Sequence, residues 1–274
     1  MRRRRAIALI GGLRSAPRDS PVVPSLADLY SCAMRGVREQ YERDGFAVLP
    51  GVISEDALSK LEAAICELAT ELSGRQIDEL HSEQFADVVG SNRELESALY
   101  SRVRDYPWLL DFSCEPKLTA AVQAIARCDV GLFRHIPLRI DLPKVTRELA
   151  VWHHDHFYVK GNTEVVTAWV PLQDTSFIKG CLQVMPGSHK LGPIPHDQAA
   201  LGKKWYPSTV FDREIRYVEM KRGDALLFHA CLLHSSNLNL SDEIRFSVNA
   251  RFTPLHLPTD PAMGDVIEVS RANA

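Results

Sequence analysis

Residues 152–158 read Trp-His-His-Asp-His-Phe-Tyr, the densest cluster of metal-capable side chains in the 274-residue chain. The surrounding residues favour a strand, expected over Val151 to Val159, and alternate side chains of a strand share a face. His153 and Asp155 are therefore expected to project together, with His154 on the other side. An imidazole beside a carboxylate is two thirds of a 2-His-1-carboxylate facial site, which takes three corners of an octahedral metal and leaves three for other ligands. The third donor must come from a neighbouring strand. His234 is the preferred choice, because it stands where the apolar run after Gly223-Asp224 gives way to a polar turn, and His229 is the alternative. A lone histidine is more often a hydrogen-bonded structural residue than a ligand, and His81, His135 and His256 are read that way.

A second segment, Arg245 to Phe252, alternates polar and apolar without interruption, placing Arg245, Ser247, Asn249 and Arg251 on one face. A surface strand shows the same alternation. Yet Arg245 follows His234 by eleven residues, a spacing that allows a turn and return onto the adjacent strand. The rigid guanidinium fork suits a carboxylate, and a serine hydroxyl can add a further hydrogen bond. Arg245 with Ser247 is accordingly suited to clamp the distal carboxylate of a keto acid such as 2-oxoglutarate, whose other end would chelate the metal.

The elements that must position these residues change character near residue 130. Before it, helices are expected at Leu26 to Glu42, from Ser54 as N-cap through Leu72, at Pro116 to Arg127, and less distinctly between Ile77 and Arg104. A short strand is expected at Phe46 to Leu49. After it come strands at Leu132 to Ile140, Glu164 to Leu172, Leu182 to Met185, Arg216 to Met220, Ala225 to His229 and Arg245 to Thr253. Many short strands separated by turn residues predict a mainly β fold with flanking helices. The expected organisation is a flexible tail over 1–24 and one domain over 25–274, helical mostly at 25–129 with a β core at about 130–253.

Composition is that of an ordinary globular protein, with 45% hydrophobic and 24% charged residues. The balance of 32 Lys and Arg against 35 Asp and Glu gives a formal charge of −3 and no general attraction to nucleic acid or anionic membrane. The basic run Arg2 to Arg5 precedes an apolar stretch too short to span a bilayer, and no small-x-small cleavage site follows. Six widely spaced cysteines without a CxxC pair read as reduced thiols, consistent with a cytoplasmic location. The expected partner is a small-molecule substrate, with no nucleic acid and no membrane. Oligomeric state is not legible.

Several motifs in one order carry a family resemblance. They are Trp152-His153-His154-Asp155, Thr167 to Asp174, Gly180 to His189, Gly223-Asp224 leading to His234-Ser235 and to Asn237 through Asn239, and Arg245. Tyr41 to Leu49 adds a weaker echo. Together they resemble the phytanoyl-CoA dioxygenase family of Fe(II)- and 2-oxoglutarate-dependent oxygenases. The resemblance implies a double-stranded β-helix (jelly-roll, cupin-like) core, His153, Asp155 and His234 as iron ligands, Arg245 as the 2-oxoglutarate anchor, and Trp169 beside that cosubstrate. It implies Fe(II), 2-oxoglutarate and O2 as cofactor and cosubstrates. Hydroxylation of a small metabolite or natural-product intermediate, with release of succinate and CO2, is the expected activity. Asp155 argues against halogenation, for which related enzymes have Gly or Ala at that position.

For the substrate, Arg139, Phe157 and Tyr158 are the candidate contacts. Their bland readings are a local Arg139–Asp141 ion pair and ordinary packing of the two aromatic rings. Lys203, Lys204, Arg213 and Arg216 would suit an acyl-CoA, the alternative substrate class. His189 is read as structural within its Pro-Gly-Ser-His turn. A regular strand at His196-Asp197 is not expected after Gly192-Pro193-Ile194-Pro195. Two further alternatives are a non-catalytic cupin-like binding protein and a Zn(II) hydrolase, which would not need Arg245 with Ser247.

Overall fold

The computed structural model describes residues 26–146, 149–198, 205–207 and 212–269. The tail over 1–24, with its basic run, and Lys203 and Lys204 lie outside the described residues.

The first half is helical where its periodicity says so. Helix α1 runs Leu26–Asp44, strand β1 Phe46–Leu49 and helix α2 Glu55–Ser73. The Ser54 hydroxyl accepts from the Ala57 amide at 3.3 Å, satisfying a donor that the first turn would otherwise leave open. Leu58, Leu61, Ile65 and Leu68 of α2 are all buried on one stripe. The indistinct region between 77 and 104 becomes a single turn, α3 (Glu83–Phe85), then a π turn over Ala86–Gly90, then α4 (Arg93–Arg102), which Asn92 caps. Two helices opened by proline follow, α5 (Pro107–Ser113) and α6 (Pro116–Ala126), of which the first was not expected from periodicity.

The second half supplies β2 (Val130–Phe133), β3 (Leu138–Asp141), helix α7 (His156–Val159), β4 (Val166–Pro171), β5 (Leu182–Val184), β6 (His196–Gln198) and β7 (Trp205–Pro207). It continues with β8 (Arg216–Val218), β9 (Ala225–His229), β10 (His234–Ser236), β11 (Arg245–Pro254) and β12 (Val266–Glu268). Among the described residues seven strands form a major sheet, ordered β1-β9-β4-β11-β2-β12 with β3 also on β11. Three form a minor sheet, β10-β5-β8, and every pairing is antiparallel. Phe46, Trp169, Leu226 and Phe228 of the major sheet pack with Leu182, Val184 and Val218 of the minor one. Two antiparallel sheets facing each other across an apolar layer, with strands paired out of sequence order, make a double-stranded β-helix jelly roll flanked by helices.

Strand alternation divides the major sheet cleanly. Phe246, Val248, Ala250 and Phe252 of β11 share one cluster with Leu138, Ile140, Ala168 and Val170, and with Leu58, Leu99, Leu118 and Val122 of the helices. Fully burying each such side chain contributes about 1.5–3 kcal/mol. The other face of β11, carrying Arg245, Ser247, Asn249 and Arg251, is thereby turned away from the helices. The alternating segment is thus no surface strand, since its apolar side lies under helices and its polar side faces the interior of the jelly roll.

Four expectations need correction. The strand expected over Leu132 to Ile140 is two strands that pair in succession along β11, broken at 134–137, where Pro137 has no amide to donate. The strand expected over Val151 to Val159 is absent, since only His153 bridges and the chain then turns into α7. His196–Gln198 does form a short strand, pairing with Trp205–Pro207, because the restriction imposed by the prolines ends at residue 195. Finally, Arg245 does not return onto a strand beside His234: β10 belongs to the minor sheet and β11 to the major one.

Candidate metal centre

His153 and His234 sit opposite one another in an isolated antiparallel bridge. Each backbone amide donates to the other residue's carbonyl, at 3.0 and 2.9 Å, and the imidazole centroids lie 4.3 Å apart. Each ring is locked by the carbonyl two residues before it. His153 Nδ1 donates to the Val151 carbonyl at 2.6 Å and His234 Nδ1 to the Leu232 carbonyl at 2.9 Å. Since a carbonyl can only accept, the proton is on Nδ1 and the lone pair on Nε2 in both rings. Burial, then the neighbouring His234, pushes His153 down to about 3, and burial likewise lowers His234. Both rings are therefore neutral and able to ligate at ordinary pH.

Asp155 reaches the pair by a different route from the expected one. It occupies the N-terminal end of α7 in helical conformation (φ −63°, ψ −30°), so a tight turn rather than strand alternation brings its side chain back beside His153. His154 supports that turn, its Nδ1 accepting from the Phe157 amide at 3.1 Å. Asp155 Oδ1 lies 3.8 Å from His153 Nε2 and 4.0 Å from His234 Nε2. The three donor atoms fall within 4.8 Å of one another, and they are the group with metal-ligand chemistry among the described residues.

The carboxylate itself is held by two residues for which the sequence suggested no role. Asp155 Oδ2 accepts from Thr167 Oγ1 at 2.6 Å and from Arg251 Nε at 2.9 Å, while Arg251 Nη2 donates to Oδ1 at 3.2 Å. Burial alone would raise the Asp155 carboxyl, but Arg251, then His234, hold it well below the ordinary range. Two imidazole nitrogens and one ionised carboxylate oxygen converging on a cavity fit a divalent iron. The signal for Arg251 was present in the polar face of its strand, six residues beyond Arg245. What brings it to the carboxylate beside Thr167 is the register of β11 on β4, which sets Arg251 opposite Thr167.

The donors line a cavity of about 290 Å³ whose wall also includes Arg139, Trp169, Arg245 and Tyr158. Arg245 is 2% exposed, and its guanidinium stands 5.5 Å from the Trp169 ring centroid. Arg245 Nη1 donates to Ser247 Oγ at 3.1 Å, and Nη2 makes an ion pair with Asp141 at 2.7 Å. Arg139 donates to Asp141 at 3.1 Å, which is the local pair weighed from sequence. Tyr100 of α4 also reaches this wall, a contribution from the helical half that no motif announced. Tyr158 is half exposed at the cavity, whereas Phe157 is outside its lining and stacks on His196 at 4.5 Å.

The remaining histidines fall elsewhere. His229 accepts from the Cys231 amide at 3.0 Å and packs 5.3 Å from His189, outside the three-donor group. His189 Nε2 donates to the Glu42 carbonyl at 3.3 Å, a structural link to α1. Arg216 pairs with Glu214 at 3.2 Å, away from the cavity lining. Cys66, Cys114, Cys128, Cys181 and Cys231 are free thiols. No helix among the described residues is long and apolar enough to cross a membrane.

The family model for phytanoyl-CoA dioxygenase (PhyH) matches residues 41–247. The 1-deoxypentalenic acid 11-beta-hydroxylase of Streptomyces arenae is 34% identical over 113 residues, covering 37% of this chain and 40% of that protein. The peroxisomal phytanoyl-CoA dioxygenase of Mus musculus is 24% identical over 232 residues, covering 78% of this chain and 67% of that protein. Among solved structures, the apo form of the non-heme monooxygenase ThoJ aligns with a TM-score of 0.63 and 19% identity, over 86% of this chain and 84% of that one. The epimerase SnoN, solved with Fe3+, alpha-ketoglutarate and nogalamycin RO, aligns with a TM-score of 0.59 and 22% identity, over 86% and 88%. At these identities the structural likeness speaks for the shared fold.

Proposed function

The chain belongs to the phytanoyl-CoA dioxygenase family, and on that premise we propose that it is an Fe(II)- and 2-oxoglutarate-dependent oxygenase that hydroxylates an unactivated carbon of a small organic molecule. The observation that carries this reading is the convergence of His153 Nε2, His234 Nε2 and Asp155 Oδ1 on a cavity that also exposes a buried arginine. Iron bound there, with 2-oxoglutarate and O2, supplies the oxidation, in which the keto acid leaves as succinate and CO2 and the substrate gains an oxygen atom.

The chain's own residues orient and isolate that chemistry. Thr167 and Arg251 Nε hold Oδ2 of Asp155 while Arg251 Nη2 reaches Oδ1, so the carboxylate is fixed with Oδ1 toward the two imidazole nitrogens and would hold the metal together with them. Arg245, with Ser247 and the Trp169 ring beside it, would receive the distal carboxylate of 2-oxoglutarate. Tyr100, Pro137, Leu149, Ala150, Val151 and Tyr158 form an uncharged part of the wall, with the charged Arg139 beside them. An uncharged reacting segment suits that part of the wall. The 34% identity to the hydroxylase of 1-deoxypentalenic acid, over 113 residues, supports a natural-product intermediate as the substrate.

The test is an anaerobic titration with Fe(II) and then 2-oxoglutarate, following the weak visible charge-transfer band of the chelated keto acid. The band is expected in the wild type and absent in His234→Ala. Iron binding without any band would remove the cosubstrate assignment and bring a hydrolytic or purely binding role forward.

A further inference from the structure

Next to the metal cavity lies a larger one that the reading above leaves unused. It measures about 750 Å³, against about 290 Å³ for the metal cavity. Sites for small organic ligands run to roughly 300–1,000 Å³. The metal cavity stands at the bottom of that range and must also admit 2-oxoglutarate, so most of an organic substrate has to lie outside it.

Two parts of the chain lead from one cavity to the other. In α4, Tyr100 lines the metal cavity and the next residue, Ser101, lines the larger one, while a third cavity of about 240 Å³ is lined by both. The break between β2 and β3 does the same, with Pro137 on the metal cavity and Arg134 and Ile136 on the larger one. At most about 10 Å of extended chain separates Arg134 from Pro137.

The larger cavity joins an apolar wall to two cations. Tyr106, Leu109, Leu110, Ile136 and Met263 supply apolar surface, and Met263 also packs against the cluster that includes Val159 of α7. Arg104 follows α4 in a single turn over Val103–Asp105. Its Nε donates to the Ser101 carbonyl at 3.4 Å and its guanidinium stands 5.9 Å from the Tyr100 ring centroid, so its two Nη groups have no partner among the described residues. Arg134 is exposed, and its side chain makes no hydrogen bond or ion pair among the described residues. Asp265 shares this wall but meets Arg134 through its backbone, its carbonyl accepting from the Arg134 amide at 3.1 Å. Its carboxylate forms an ion pair with neither arginine. Two open guanidinium forks beside an apolar wall suit an anionic oxygen group carried on an apolar skeleton.

We propose that the larger cavity seats the remote end of the substrate, with Arg104 and Arg134 receiving its carboxylate or phosphate while an apolar segment reaches the metal past Tyr100 and Pro137. The substrate is thus an anionic amphiphile, and these two arginines set that specificity. The inference rests on the oxygenase reading above and names the substrate class of the same site.

Three probes of one chain length test it: decanoate, decyl phosphate and decan-1-ol, which has no charge. Each is titrated anaerobically into protein loaded with Fe(II) and 2-oxoglutarate, and binding is followed by calorimetry and by the shift of the visible band. At least one anion is expected to bind about tenfold or more tighter than the alcohol. The tighter of the two distinguishes a carboxylate from a phosphate substrate. Arg104→Gln and Arg134→Gln should each remove most of that preference, with Fe(II) and 2-oxoglutarate affinities within about twofold of the wild type, because neither side chain reaches the metal donors. Where a Gln variant does not fold, the Lys variant, which keeps the charge and loses the fork, carries the test through a smaller loss. A wild type that favours neither anion, or that binds none of the three probes, overturns the proposal. So does a preference that survives both substitutions, and a parallel loss of Fe(II) affinity would mark a structural role instead. If no band forms with Fe(II) and 2-oxoglutarate, the oxygenase reading itself fails, whereas a normal band without anion preference sinks this inference alone.

Discussion

Asp155 Oδ2 takes two donors, Thr167 and Arg251 Nε, while Oδ1 faces the two imidazole nitrogens and accepts from Arg251 Nη2. This two-point hold makes Arg251 a positioning residue whose loss should be felt at the metal. Arg251→Met is expected to weaken Fe(II) binding about 10- to 100-fold, the range seen when partners of metal ligands are removed. A chelator-competition titration measures it, and unchanged affinity would assign Arg251 to stability alone. The same pair predicts the consequence of removing the ligand. In Asp155→Gly a buried guanidinium loses its counterion beside an opened coordination position, so chloride should bind there. A chloride-dependent change in the keto-acid band of the Fe(II) protein would register it, and a spectrum indifferent to chloride would refute it.

At the scale of elements, caps and turns differ in what they position. Ser54 begins α2, whose role is to cover the outer face of the major sheet. Ser54→Ala should cost about 1 kcal/mol of stability and leave Fe(II) affinity untouched. Gly161 follows α7 with φ 73°, and a Cβ there would meet the Asp260 amide nitrogen at 2.8 Å. Gly161→Ala adds left-handed strain of about 1–2 kcal/mol to that collision. Because α7 carries Asp155, Gly161→Ala is expected to lower Fe(II) affinity as well as stability. Urea unfolding and metal titration on both variants test the contrast, and equal metal affinities would mean that α7 tolerates the shift.

For the molecule as a whole, β11 joins the two halves of the architecture. Its outer face belongs to the apolar cluster shared with the helices, and its inner face supplies Arg245, Ser247 and Arg251. Phe246 packs edge-to-face on Phe85 at 5.2 Å, on the face of β11 opposite Arg245. Phe246→Ala should destabilise by about 3–5 kcal/mol, the usual range for emptying a buried aromatic position. Because Arg245 is adjacent on the same strand, 2-oxoglutarate binding should weaken too. Denaturant unfolding with a binding titration checks both, and a loss of stability without a loss of binding would show that the strand holds its register independently of the core.

Much of this organisation was legible in the residues themselves. Local rules wrote α2 with its Ser54 cap, β9 from Ala225 to His229, and the alternation of β11, because hydrophobic period and capping chemistry act over a few residues. Motif order supplied the family and drew attention to His153, Asp155, His234 and Arg245. Tertiary structure decided what depends on distant segments meeting. The sequence suggested that His153 and Asp155 share a strand face, whereas the fold brings them together by a bridge and a helical turn. It suggested that Arg245 returns beside His234, whereas the two lie on opposite sheets and meet across the cavity between them. The pairing of Arg251 and Thr167 with Asp155, and of Asp141 with two arginines, follows from strand register. Register is set by which apolar faces bury together across the whole sheet, and no window of neighbouring residues contains that information.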